Sequence, residues 1–297
     1  MSSEHLAAQA IASPGKWHGG KGAFNGALAK WIVTLMPTHT HYVEPYFGMG
    51  NVLLAKKHNG VSEAVNDVHR ELTNWWRVLA YEATFAAFRR IIEATPFSGV
   101  EWEQAGQHSI GDPVHRAVKF FVRCRMSLAG RCDTFAPLSR TRTRGGMNEQ
   151  ASAWLSAVDG LPEVHARMKR VVILPSMNAL DVIRTQDGPN TLFYLDPPYL
   201  HETRAAKQVY DHEMLRDDHI ELLAVLANIQ GKFLLSGYRS ILYDRFSDEC
   251  GWHRSEYLIA NCAASGLKKR TMLECVWTNF APNLTPKTEP NVERENA

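Results

Sequence analysis

The chain has 297 residues, 45% of them hydrophobic and 22% charged, enough for one large domain or for one α/β domain carrying an insertion. No segment approaches the roughly 18 consecutive apolar residues of a membrane span and no apolar signal core opens the sequence, so a cytoplasmic protein is expected. Net charge is +2, from 33 Lys and Arg against 31 Asp and Glu, too little to name a nucleic-acid partner by itself.

The first dozen residues and the tail after Phe280 lack periodic apolar patterning and are expected to fray, which places disordered ends at residues 1–13 and 281–297. Lys16-Trp17-His18-Gly19-Gly20-Lys21 then combines an aromatic face, permissive glycines and two cations. It suits a fold over a carboxylate-bearing ligand, although spacing alone favours a basic arm with no ligand. From His41 the pattern reads strand, glycine turn, helix: Tyr42-Val43-Glu44, then Pro45 to Gly50, then Asn51 to His58. Glycines at 48 and 50 let a ligand approach backbone amides at a helix N-terminus, although a simple tight turn has the same pattern. A dinucleotide fingerprint would want a third glycine where Leu53 stands, which argues against hydride transfer.

A second strand around Ala64-Val65 ends at Asn66-Asp67. There a carboxylate can accept from both hydroxyls of a ribose, or cap the helix beginning near His69. Residues 72–97 and 113–126 read as amphipathic helices, and 127–150 reads as a loop ordered on binding rather than core. Between Pro113 and Arg170 stand eleven Lys and Arg against four Asp and Glu. Arg123, Arg125, Arg131, Arg140, Arg142 and Arg144 are the candidates to neutralise phosphates or to fork onto guanine edges, with a solvated surface as the alternative. Strand and helix alternation resumes with Val171 to Leu174, Leu192 to Leu195, His219 to Ile229, Lys232 to Ser236 and Met272 to Trp277. This predicts a mostly parallel sheet formed by residues 14–70 and 165–280, with a helical, basic region at 71–164.

The apolar run Thr191 to Leu195 delivers Asp196-Pro197-Pro198-Tyr199 to the carboxyl end of a strand, where open α/β sheets bind ligands. A carboxylate, rigid carbonyls and an aromatic plate suit a flat substrate bearing an exocyclic amine. The five cysteines are odd in number and lack metal-ligand pairing, and the thirteen histidines are scattered. Free thiols and no metal are therefore expected.

In that order, Lys16 to Lys21, Glu44 to Gly50, Asn66-Asp67 and Asp196 to Tyr199 make the chain resemble the Dam-like family of DNA adenine-N6 methyltransferases over nearly all of residues 14–280. Leu235-Ser236-Gly237-Tyr238 and Thr271 to Asn279 extend the likeness, and the motif order is similar to the α arrangement. The resemblance implies a Rossmann-like methyltransferase domain with a smaller helical DNA-recognition insertion. S-adenosylmethionine would be the cofactor, held by Trp17, Lys21, Tyr46, Phe47, Gly48, Met49, Gly50, Asn51, Asp67, Asn178 and Asp196. Asn178 stands where relatives often carry an acid. Catalysis would fall to Asp196 and the Pro197 carbonyl on the N6 amine, beside Pro198, with Tyr199 stacked on a flipped adenine. DNA is the implied partner of a monomer or weak dimer. Cytosine-N4, RNA adenine and non-catalytic DNA-binding roles remain alternatives.

Overall fold

The computed structural model describes residues 10–17, 20–21, 23–107, 111–203, 213–260 and 271–282. Residues 1–9 and 283–297 of the expected frayed ends, and His18-Gly19 of the N-terminal motif, lie outside the described residues. The chain is docked further upstream than residue 14. The Ile11 amide donates to Leu54 O at 3.0 Å and the Ser13 hydroxyl to Met49 O at 2.8 Å, while Ile11 packs on the core.

After α1 (Ala23–Thr34), β1 (His41–Glu44), α2 (Asn51–Ala55) and β2 (Ser62–Val65) form the first βαβ unit. The helix expected to reach His58 stops at Ala55 because Lys56 turns extended. Its ammonium is drawn instead to Glu63 at 3.0 Å. Residues 72–97 form two helices rather than one, α3 (Arg70–Ala80) and α4 (Glu82–Ala94), broken where Tyr81 adopts extended backbone and caps both. After α5 (Gly99–Ala105) comes α6 (Pro113–Met126), which starts on an Asp112 cap with proline at its first position, a preorganised entry.

The stretch from 127 to 150 is more regular than its composition predicts. Ser127 bridges Phe135, and β3 (Thr143–Arg144) pairs with β4 (Met147–Asn148). The connecting Gly145 and Gly146 have φ of 61° and 76°, the double left-handed turn that joins twisted strands in two residues. Helices α7 (Glu149–Asp159) and α8 (Leu161–Met168), strand β5 (Val172–Ile173) and helix α9 (Ala179–Gln186) lead to β6 (Thr191–Leu195). Helix α10 (Arg216–Leu226), β7 (Lys232–Gly237), α11 (Ile241–Cys250), β8 (His253–Ala260) and β9 (Thr271–Thr278) complete the chain.

Seven strands form one sheet in the order β5-β2-β1-β6-β7-β9-β8. All pairings are parallel except those of β9, which runs antiparallel to both neighbours. Every residue of β6 is buried, as its uninterrupted apolar run requires of a strand covered on both faces. Alternation then splits it. Leu192 and Tyr194 join one core with Tyr42, Trp75, Phe121 and Trp154, whereas Phe193 and Leu195 join the other with Val43, Leu222 and Trp277. The first core runs without a break from the sheet into the helical block. Strand order reverses between β1 and β6, so their carboxyl ends frame a crevice, the usual ligand site of an open α/β sheet. No helix among the described residues is long and apolar enough to cross a membrane.

Candidate active site

A cleft of about 340 Å³ opens at that reversal. Glu44 to Met49 line it from the end of β1, Asp67 to His69 from the end of β2, Asn178 to Leu180 from α9, and Asp196 to Pro198 from the end of β6. Trp17, Lys21 and Asn51 close one side, while Glu213, Met214, Asp218 and Glu221 form a rim.

The turn after β1 is braced on all sides. Gly48 N–H donates to Asp67 Oδ2 at 2.8 Å, Gly48 O accepts the Trp76 indole N–H at 2.8 Å, and Phe47 N–H reaches Asn66 O at 2.9 Å. Gly48 and Gly50 have φ of 51° and 64°, a region that glycine enters freely. At Gly50 a Cβ would also sit 2.7 Å from the Phe47 ring. Gly50 is therefore needed for the turn but does not itself line the cleft. Asn66 ties the floor together by donating to Pro45 O and Met177 O and accepting from Met177 N–H.

Asp67 was open between a ligand carboxylate and a helix cap. The cap of α3 is His69, whose ring nitrogen accepts from Leu72 N–H. Asp67 Oδ1 accepts from His69 N–H at 2.9 Å, and the carboxylate, half-buried, faces the cleft. Trp17 lines the cleft with its ring 5.6 Å from His69 and 5.8 Å from Phe120. Asn178 is exposed at the rim and spends its carbonyl oxygen capping α9.

The structure also brings Lys21 onto Asp196. Its ammonium lies 2.6 Å from Asp196 Oδ1, 2.6 Å from Tyr199 Oη and 3.3 Å from Glu274 Oε1. Burial works against that charge, but the two carboxylates outweigh it and hold the ammonium well above its ordinary range. Tyr199, the residue expected to stack on a base, is buried and is not among the residues of the cleft wall. Its hydroxyl donates to Glu274 and its ring meets Tyr238 edge-on at 4.7 Å. Burial and the neighbouring carboxylates of Glu274 and Asp196 keep that phenol protonated.

Two carboxyls here had no role assigned from sequence. Glu44 is buried on the cleft floor, and burial raises it to about 8 against hydrogen bonds from the Tyr42 hydroxyl and the Leu53 amide. Glu274 on β9 is buried, and burial lifts it above the usual carboxylate range, with Lys21 opposing. Its signal was legible: a single acid inside the apolar run Leu273 to Trp277, where an unpaired charge is rarely tolerated.

The six arginines divide. Arg131, Arg140, Arg142 and Arg144 are exposed. Arg123 is turned inward: its guanidinium stacks over Trp102 at 3.6 Å and donates to the carbonyls of Trp102 and Cys132. Arg125 donates to Ala153 O at 2.7 Å and is lowered to about 10 by burial. Both lie on α6, whose apolar face packs against α3, α4 and α5 and carries their stems into the interior.

Among curated proteins none matches the chain. The profile of the D12 class N6 adenine-specific DNA methyltransferases does match, over residues 17–109 and 145–260, well over half of the sequence. The matched segments hold the whole β1 turn, Asp67, Asn178 and Asp196 to Tyr199. The unmatched 110–144 between them holds all six arginines.

Proposed function

Because the chain belongs to the D12 class N6 adenine-specific DNA methyltransferase family, we propose that this cleft binds S-adenosylmethionine and that Asp196 receives the N6 amine of a flipped adenine in DNA. The residues present fit such a cofactor. Carboxylates at Asp67 and the rim suit a ligand carrying a ribose diol and positive charge, and Trp17, Val52 and Leu180 supply apolar contact. When bound, the cofactor supplies an electrophilic methyl on its sulfonium.

The observation that carries the reading is the placement of Asp196. It stands at the carboxyl end of β6, on the cleft wall, with Oδ1 held by Lys21 and its side chain 20% exposed. A carboxylate so fixed can accept an N6–H and orient the amine, together with the carbonyl of Pro197. Positioning and preorganised electrostatics of this kind account for much of the rate in a transfer that needs no covalent enzyme intermediate. An adenine inside a duplex must leave the stack, which costs a few kcal/mol. The exposed Arg131, Arg140, Arg142 and Arg144 are suited to hold the flanking phosphates while it does so.

Mass spectrometry of nucleosides from unmethylated DNA incubated with the protein and S-adenosylmethionine tests this. N6-methyladenine supports it. N4-methylcytosine overturns the base assignment, and no product turns attention to RNA or to a binding role.

A further inference from the structure

Asp196 and Tyr199 bracket one short loop, and both ends of it converge on a single distant oxygen. Tyr199 donates its hydroxyl to Glu274 Oε1, and the ammonium that holds Asp196 Oδ1 lies 3.3 Å from that same oxygen. Glu274 comes from β9, whose pairing with β7 sets Cys275 opposite Gly237. It enters the site from the antiparallel side of the sheet, opposite the cleft's cofactor end, and has no place on the cleft wall. Its side chain is 3% exposed and that of Lys21 5%, so water does not substitute for either contact. A lysine ammonium has three donors and no acceptor. Two reach Asp196 and Tyr199, each at 2.6 Å, and Glu274 Oε1 adds an ion pair at 3.3 Å.

We propose that Glu274 is a positioning residue for the methyl-transfer site: its Oε1 anchors the Tyr199 hydroxyl and the Lys21 ammonium together, and through them fixes Asp196 in the geometry that receives the amine. This inference rests on the reading of Asp196 given above. The contact is made through one oxygen, so a glutamine keeps an acceptor there, whereas alanine takes the acceptor from the Tyr199 hydroxyl and one carboxylate from beside the Lys21 ammonium. A displacement of about 1 Å at the reacting end costs on the order of 100-fold in rate.

The test uses the full chain as wild type, Glu274→Ala and Glu274→Gln, with kcat and KM measured for S-adenosylmethionine and DNA, thermal melting, and crystal structures. Glu274→Ala is expected to lower kcat on the order of 100-fold with both KM values within roughly threefold, and Glu274→Gln to recover at least about tenfold of that loss. In the alanine variant's crystal structure Lys21 Nζ should have moved by about 1 Å relative to Asp196. Wild-type kcat in Glu274→Ala, an unmoved Lys21, or a glutamine variant as impaired as the alanine one overturns the proposal. Loss of kcat that merely follows a lowered melting temperature in both variants also overturns it. If the wild type forms no N6-methyladenine, the functional reading fails by itself, and the position of Lys21 in the crystal still decides whether Glu274 anchors it.

Discussion

The Lys21 ammonium sits 2.6 Å from Asp196 Oδ1 across 175 residues of sequence, so the carboxylate at the end of β6 is held by a residue that precedes the first strand. Removing that carboxylate leaves Lys21 with Glu274 at 3.3 Å, and the fold should survive. Asp196→Ala is expected to cut methyl transfer by about 10²–10³ in kcat while cofactor affinity stays within a few-fold. Isothermal titration alongside the transfer assay checks both. Loss of cofactor binding would show that Asp196 acts on the wrong ligand.

Asp67 joins the ends of β1 and β2 by accepting from Gly48 and His69 amides. Asp67→Ala should weaken S-adenosylmethionine binding by about tenfold to a hundredfold, the range of hydrogen bonds to a charged group. Unchanged affinity in a calorimetric titration would return Asp67 to a purely structural brace of the turn.

Arg142 and Arg123 should behave differently although both come from the basic segment. Arg142 has a side chain 74% exposed, beside Glu149, so Arg142→Ala should reduce the salt slope of DNA binding by about one if it meets a phosphate. Arg123→Ala should instead lower the melting temperature, because Trp102 and Cys132 carbonyls lose their donor. Equal salt slopes for wild type and Arg142→Ala would sink the phosphate role.

Glu44 makes stability depend on pH. Folded, it holds its proton up to about 8 because it is buried; unfolded, it releases it near the ordinary value of about 4.3. The unfolded state thus binds fewer protons across that window, and its contribution to stability falls as pH rises, by at most about 1.4 kcal/mol per pH unit. Glu44→Gln should remove this decline, so the variant's stability relative to wild type should grow from pH 5 to pH 8 in urea titrations. A difference that stays flat with pH would mean that Glu44 is ionised in the folded protein.

Glu63 is fully buried between Arg167, at 2.6 Å, and Lys56, at 3.0 Å. Burial opposes its charge, but the two cations hold its carboxyl below the ordinary range. Arg167→Ala leaves that charge with Lys56 and the His58 ring at 3.9 Å and should destabilise the fold by about 3–5 kcal/mol. A loss below about 1 kcal/mol in equilibrium unfolding would show that the pair is readily replaced by water.

The sequence by itself determined the alternation of strands and helices, the mostly parallel sheet, and the position of Tyr46 to Gly50, Asp67 and Asp196 to Tyr199 beyond the carboxyl ends of strands. These follow from local patterns: an apolar run buries a strand, and glycine or a capping side chain ends an element where it stands. Even the break at Tyr81 and the Gly145-Gly146 hairpin, which were not anticipated, are local geometry. The tertiary structure alone decided which polar groups meet. Lys21 lines the cleft and also lies 2.6 Å from Asp196, Tyr199 donates its hydroxyl to Glu274, and Arg123 donates to the Trp102 and Cys132 carbonyls. A buried charge or donor must be satisfied by whatever the fold brings beside it. Those partners come from strands and helices far apart in the chain, where no spacing rule connects them.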